Sequence, residues 1–226
     1  MNQDEGKLEK QASWENPYKR RIDGFPGRIF CFKDFASDSA YLHEALRPWA
    51  QVFCEIGSGS GGHLLDWAER RSTEAFVGFE LRYKRCVRTL EKAAVRGIEN
   101  VFVIQHRGER IGDIFCENAL AGIFVNFPDP WPKLRWSKHR LLSAEFLDCL
   151  NSRLKIGGFV SLKSDHQSYF QEFIKVVENS SSFRLAEYTE DLYQSSLVAE
   201  NVSTEFERLF RAQAAPIYYL KLIKDG

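Results

Sequence analysis

Apolar residues in this chain fall in short runs separated by stretches of helical period. Five runs read as buried strands: Val52 to Ile56, Ala75 to Glu80, Val101 to Gln105, Gly122 to Asn126 and Phe159 to Lys163. Each is short and predominantly apolar, as strands covered on both faces are. Between them the spacing predicts helices over about 62–71, 83–96 and 143–154, with Gly97 and the pair Gly157-Gly158 in stop positions. An earlier helical pattern, Ser39 to Arg47, ends before Pro48. Strand alternating with helix predicts a parallel sheet sandwiched by helices. The remainder reads as a helix near 167–178, a strand near 184–188, a short helix from 205 and a final strand Ile217 to Ile223. These would add an antiparallel edge, seven strands in all.

With 226 residues and 44% hydrophobic content, the chain can bury one large core. A single domain is expected over 36–226, preceded by a flexible basic arm, 1–35, carrying Lys19, Arg20, Arg21 and Arg28. The 31 basic and 31 acidic side chains cancel, which argues against a protein that coats nucleic acid nonspecifically. Any nucleic-acid contact must then be concentrated. Five widely spaced cysteines without a C-x-x-C pair suggest neither a disulfide framework nor a zinc ribbon, and five histidines without H-x-x-x-H spacing suggest no metal site. With no apolar leader in Met1 to Gln11 and no run long enough to span a bilayer, the expectation is a reduced, cytoplasmic protein, a monomer or homodimer away from membranes.

Directly after the first core strand comes Glu55-Ile56-Gly57-Ser58-Gly59-Ser60-Gly61-Gly62, and Glu80 closes the next strand 19 residues after Gly61. That is a Rossmann-type layout: glycines permit close backbone approach to a ligand, and an acid at the second strand end can accept both ribose hydroxyls. The spacing is G-x-G-x-G, and Glu55 stands two residues before the first glycine. A carboxylate there repels a pyrophosphate and suits an ammonium, which points to S-adenosylmethionine.

The fourth core strand runs into Asn126-Phe127-Pro128-Asp129-Pro130-Trp131-Pro132-Lys133. Phe127, Asp129 and Trp131 each precede proline, which predicts extended backbone at all three and a firmly held Asp129. Lys133, Arg135, Lys138, His139 and Arg140 follow, a cationic run suited to phosphate. Trp131 is expected in the core; Trp136 is open between packing and stacking. Asp165, ahead of a helix, reads as an N-cap, and Thr204-x-x-Glu207 as a capping box. Arg82, Lys84, Arg85, Arg88 and Lys92 read as a solvated face.

These motifs together resemble the bacterial tRNA (guanine-N7)-methyltransferase family, a class I S-adenosylmethionine-dependent group. The resemblance spans residues 50 to 223 and rests on the glycine loop, Glu80, Pro128 to Lys133, Lys163-Ser164-Asp165, Thr204-Glu205-Phe206-Glu207 and Pro216-Ile217-Tyr218. It implies a Rossmann-like fold and transfer to guanine 46 of the tRNA variable loop. It further implies cofactor contacts from Glu55, Gly57, Gly59, Gly61, Glu80 and Asn126. Asp129 is implied as the catalytic residue, and Lys133, Arg135, Asp165, Thr204, Glu205, Phe206 and Glu207 as tRNA contacts. Three positions depart from the family pattern: Arg107 replaces an acid or amide, Trp136 replaces His and His139 replaces Arg. Arg107 cannot accept a hydrogen bond from an adenine amine, leaving that task to Glu109 or a backbone carbonyl.

Guanine N7 carries a free lone pair and no proton, so its methylation needs no general base. Asp129 is then expected to grip the N1 and N2 donors and stabilise the cationic ring. Two rivals stay open at this level. One is methylation of an exocyclic amine by an Asn/Asp-Pro-Pro-aromatic tetrad, which Phe127 interrupts here; the other is a catalytically silent RNA-binding protein of the same fold. A nicotinamide-dependent dehydrogenase is weaker, because no hydride-transfer site is evident.

Overall fold

The computed structural model describes residues 16–131, 135 and 140–226. The strands are β1 (Ile29–Phe30), β2 (Val52–Ile56), β3 (Ala75–Phe79), β4 (Val101–Ile104), β5 (Leu120–Asn126), β6 (Leu154–Ser164), β7 (Phe183–Thr189) and β8 (Tyr218–Lys224). They form one sheet in the order β1-β4-β3-β2-β5-β6-β8-β7. All neighbours are parallel except β8, which runs antiparallel to both β6 and β7. The α-helices are α1 (Pro17–Arg21), α2 (Phe35–Leu46), α3 (Gly62–Arg70), α4 (Tyr83–Val95), α5 (Ile111–Ile114), α6 (Ala144–Arg153), α7 (Gln167–Glu178) and α8 (Glu205–Ala212).

Alternate side chains of the central strands build two cores. Phe53, Phe76, Val101, Val103 and Phe124 pack against α3 and α4, while Cys54, Ile56, Phe79, Ile104, Ile123 and Val125 pack against α2, α5, α6 and α7. A strand buried on both faces keeps no polar alternation, which is why these runs read as predominantly apolar. Phe53 and Phe76 stack with centroids 5.2 Å apart, and a fully buried side chain of that size stabilises by about 1.5–3 kcal/mol.

Eight strands replace the expected seven. The extra one is β1, two residues pairing Ile29 with Val103 and Phe30 with Ile104. Residues 16–35 were expected to belong to a flexible arm, but from Pro17 they carry a helix and this edge strand. Asn16 caps α1 through its side chain, and Arg28 Nε donates 2.7 Å to the Val101 carbonyl. Gly157-Gly158 was expected to stop the preceding helix; it lies inside β6, where Gly157 takes φ +76°. Among the described residues no helix is long and apolar enough to cross a membrane.

The chain runs outward from β2 through β3 to β4, then returns to place β5 on the other side of β2. At such a reversal the loops beyond the strand ends splay apart and leave a crevice. The glycine loop, the end of β3 and the loop after β5 all open into it.

Candidate active site

A cleft of about 830 Å³ occupies that crevice, bordered by Gly57, Glu80, Arg107, Asn126, Asp129 and Phe206 among others. Behind the lining residue Asn126 lies a buried polar cluster. Glu55, on β2, is 3% exposed. Its Oε1 accepts from Asn126 Nδ2 at 2.9 Å and lies 3.1 Å from His63 Nδ1. Burial alone would raise this carboxyl, but His63, Asn126 and Lys163 together outweigh it and hold Glu55 below the usual carboxylate range. Glu55 Oε2 and Asn126 Oδ1 are both buried without a hydrogen-bond partner. Two adjacent orphan acceptors beside an ionised carboxylate fit a cationic donor such as an ammonium group.

The glycine loop serves two ends. Gly57 (φ +74°) borders the cleft with open space where a Cβ would stand, leaving room for a ligand against the backbone. Gly61 (φ +76°) is needed for packing instead, because a Cβ there would lie 2.4 Å from Thr89 Cγ2. Lys92 holds this loop, its Nζ 3.0 Å from the Ser60 carbonyl and 3.6 Å from Glu205 on α8. Glu80 lies just past β3, accepting from the Arg82 backbone N–H at 2.7 Å with Arg85 at 3.5 Å. Lys92 and Arg85 thus stay on the solvated face expected of them while also engaging the glycine loop and Glu80.

The loop after β5 departs from expectation. Phe127 and Trp131 take positive φ, +52° and +43°, although each precedes proline. Such backbone costs roughly 1–3 kcal/mol per residue and persists where surrounding contacts over-determine it. The contacts are visible. Phe127 N–H donates to the Lys163 carbonyl at 2.8 Å. Arg140, expected to meet phosphate, instead donates through Nε to the Pro130 carbonyl at 2.9 Å and through a terminal nitrogen to that of Trp131 at 3.3 Å. Its other terminal nitrogen pairs with Glu172. Trp131, expected in the core, is half-buried and lines the cleft. Asp129 is exposed at the cleft rim, with no hydrogen-bond or ion-pair partner among the described residues. Lys133, Trp136, Lys138 and His139 lie outside the described residues; Arg135 is exposed.

Of the residues expected to meet tRNA near the C-terminus, two face inward. Thr204 and Glu207 are buried and form the capping box of α8, Glu207 N–H donating to Thr204 Oγ1 at 3.0 Å. Glu207 Oε2 also accepts from Lys163 Nζ at 2.8 Å. Glu205 and Phe206 point outward from the first turn, Phe206 on the cleft wall with Phe127 at 6.3 Å and Phe210 at 6.4 Å. Asp165 is not the N-cap of α7. That place belongs to His166, whose Nδ1 accepts from the Tyr169 N–H at 3.2 Å. Arg107 and Glu109 are exposed on the cleft wall past β4. Sequence reasoning missed His63, Arg140, Tyr193 and Asn201 as site supports; only the cationic run hinted at one of them.

Comparison with known proteins agrees with this geometry. A family model described as "Putative methyltransferase" matches residues 49–220. A tRNA (guanine-N(7)-)-methyltransferase of Brevibacillus brevis is 32% identical over 74% of this chain and 78% of its own length. A bifunctional glycosyltransferase/methyltransferase of Fusobacterium nucleatum is 32% identical over 76% of this chain, which spans only 28% of that protein. Among solved structures, the 16S rRNA methyltransferase KamB superposes with a TM-score of 0.63 at 15% identity, over 83% of this chain and 94% of that one, a likeness of fold. The Rossmann-like methyltransferase sheet and the sequence match over three quarters of the length agree: this chain belongs to the tRNA (guanine-N7)-methyltransferase family.

Proposed function

We propose that this protein is a cytoplasmic enzyme that methylates N7 of guanine 46 in the tRNA variable loop, using S-adenosylmethionine. The observation that carries the reading is Asp129: a carboxylate without a partner among the described residues, on a braced loop at the rim of a cleft lined by Asn126, behind which Glu55 Oε2 and Asn126 Oδ1 stand as orphan acceptors suited to a cation. S-adenosylmethionine, when bound, supplies an electrophilic methyl on a sulfonium. The residues fit such a group: Glu55 and Asn126 hold its ammonium, Glu80 accepts from its ribose hydroxyls, and Gly57 lets the backbone approach.

The rest of the chemistry is positioning. N7 needs no deprotonation, so the rate rests on holding the base in line, an arrangement worth several kcal/mol. Asp129 accepts from N1 and N2 on the opposite edge of the guanine, fixing the ring and stabilising the positive charge it gains. Phe206 and Trp131 offer aromatic faces at the mouth, each base stack being worth about 1–3 kcal/mol. Arg135 and Lys133 contact phosphate, and Asp165, free of a capping role, faces the same substrate.

The test is to incubate purified protein with methyl-labelled S-adenosylmethionine and unmodified tRNA transcript, then map the label. Label at the variable-loop guanine, lost when that guanine is replaced and labile to reduction and aniline, is the expected result. Label on an exocyclic amine overturns it. Asp129→Asn keeps size and removes charge; near-normal turnover by that variant rules out the assigned role.

A further inference from the structure

Behind Glu55 lies a side chain that neither the glycine pattern nor the cleft lining singles out. His63, in the first turn of α3, is 5% exposed. Trp67, one turn on, brings its indole Nε1 to 3.0 Å from His63 Nε2. An indole nitrogen only donates, so Nε2 must be the accepting nitrogen, and the neutral ring then carries its proton on Nδ1. Nδ1 sits 3.1 Å from Glu55 Oε1. Asn126 Nδ2 approaches Nδ1 at 3.2 Å, but both are donors and their shared acceptor is Glu55 Oε1. The ring is held edge-on to Phe124, centroids 5.1 Å apart, while Trp67 stacks on the same phenyl at 5.5 Å.

We propose that His63 is a positioning residue for the cofactor: anchored by Trp67, it donates Nδ1–H to Glu55 Oε1 and so turns Oε2 toward the ammonium. The inference rests on the methyltransferase reading given above. One oxygen of Glu55 is saturated by His63 and Asn126, and the other is left unpartnered. A carboxylate without that second donor rotates or recruits water, and the orphan acceptor loses its fixed direction. The Trp67 hydrogen bond adds a selective element, since it occupies Nε2 and leaves Nδ1 as the nitrogen that faces Glu55.

The experiment measures S-adenosylmethionine binding by calorimetry, without tRNA and without turnover. His63→Leu, close in size and apolar, removes the donor; the expected result is about 10- to 100-fold weaker binding, the range for losing a hydrogen bond to a charged group. His63→Asn places an amide N–H near the Nδ1 position and is expected to restore affinity to within a few-fold of wild type, which a merely structural role of the ring would not do. Heteronuclear NMR of nitrogen-labelled wild-type protein is expected to show His63 protonated on Nδ1 only, and this readout stands even if a variant fails to fold. Wild-type affinity in His63→Leu, equal losses in Leu and Asn variants, or a proton on Nε2 overturns the proposal. If wild type itself binds no S-adenosylmethionine, it is the enzymatic reading that fails.

Discussion

Lys163 Nζ lies 2.8 Å from Glu207 Oε2, and neither side chain reaches solvent: 4% and 0% of their surfaces are exposed. The ammonium spends its other donors on Asn201 and on the Val202 carbonyl. The carboxylate also accepts from Tyr193, Asn201 and the Thr204 backbone N–H. One ion pair thus fastens the end of β6 to the first turn of α8, the helix that supplies Phe206 to the cleft. Burial pulls Lys163 down, with Glu207 and Glu55 opposing, while Lys163 outweighs burial at Glu207 and leaves it below the usual carboxylate range.

Removing one member of this pair strands the other. Lys163→Met leaves a buried carboxylate with neutral donors only, and the expected loss is about 3–5 kcal/mol of folding stability, read by urea denaturation. A loss below about 1 kcal/mol, the range of an exposed pair, would show that water reaches the site.

Glu55 and Glu207 also set an acid limb. Both carboxyls titrate below their ordinary value of 4.5 in the fold, so between the folded and unfolded values the unfolded chain binds more protons. Their contribution is complete above about pH 4.5 and is lost as pH falls through the lowered folded values. Denaturation midpoints from pH 7 to 3 are expected to fall mainly below that point, and Glu207→Gln to flatten the limb. A decline already complete at pH 5 would assign acid sensitivity to other groups.

Most of the sheet is legible in the sequence because its strands are buried on both faces, and short runs of apolar residues such as Ala75 to Phe79 and Val101 to Ile104 are what a parallel sheet covered by helices requires. β1 is not legible: two residues carry no period, and Ile29-Phe30 becomes a strand only because β4 offers an open edge. The glycine loop and the position of Asp129 could be read because local spacing encodes them. Arg140 could not, since a guanidinium that braces carbonyls and one that meets phosphate are the same residue in the same basic run. Thr204 and Glu207 show a local rule succeeding, since the capping box read from their spacing forms at the start of α8. Phe127 shows a local rule failing: preference for extended backbone before proline yielded to the Lys163 carbonyl and the rings of Phe206 and Phe210.

Arg140 is expected to matter for rate more than for cofactor affinity. It holds the carbonyls of Pro130 and Trp131, the two residues that directly follow Asp129, while its contacts stay clear of the Glu55 cluster. Arg140→Ala frees a loop containing two strained residues, and a misplacement of about 1 Å costs on the order of 100-fold in rate. Arg140→Lys is expected to fall nearly as far, because one ammonium does not reproduce the guanidinium fork across two carbonyls and Glu172. Steady-state turnover on tRNA with calorimetric S-adenosylmethionine affinity measured alongside checks this. Equal losses in both quantities would mean that the loop also shapes the cofactor site.

Two glycines of one loop should respond differently to alanine. Gly57 and Gly61 share positive φ, so each Ala variant bears the left-handed penalty of about 1–2 kcal/mol. Gly61→Ala also drives a methyl to 2.4 Å from Thr89 Cγ2 and 2.7 Å from Thr89 Oγ1, which forces α4 outward or the loop inward. Gly57→Ala meets nothing within 4 Å in the protein, so its further cost falls on ligand approach. The expected pattern is a larger loss of folding stability for Gly61→Ala, and a larger loss of S-adenosylmethionine affinity for each kcal/mol of stability for Gly57→Ala. Thr89→Ala deletes both atoms of the clash and should recover part of the Gly61→Ala deficit, with a coupling of about 0.5–3 kcal/mol in a double-mutant cycle. Additive effects at 61 and 89 would show that the close approach of loop and helix is relaxed in solution, and that Gly61 is required for its backbone angle alone.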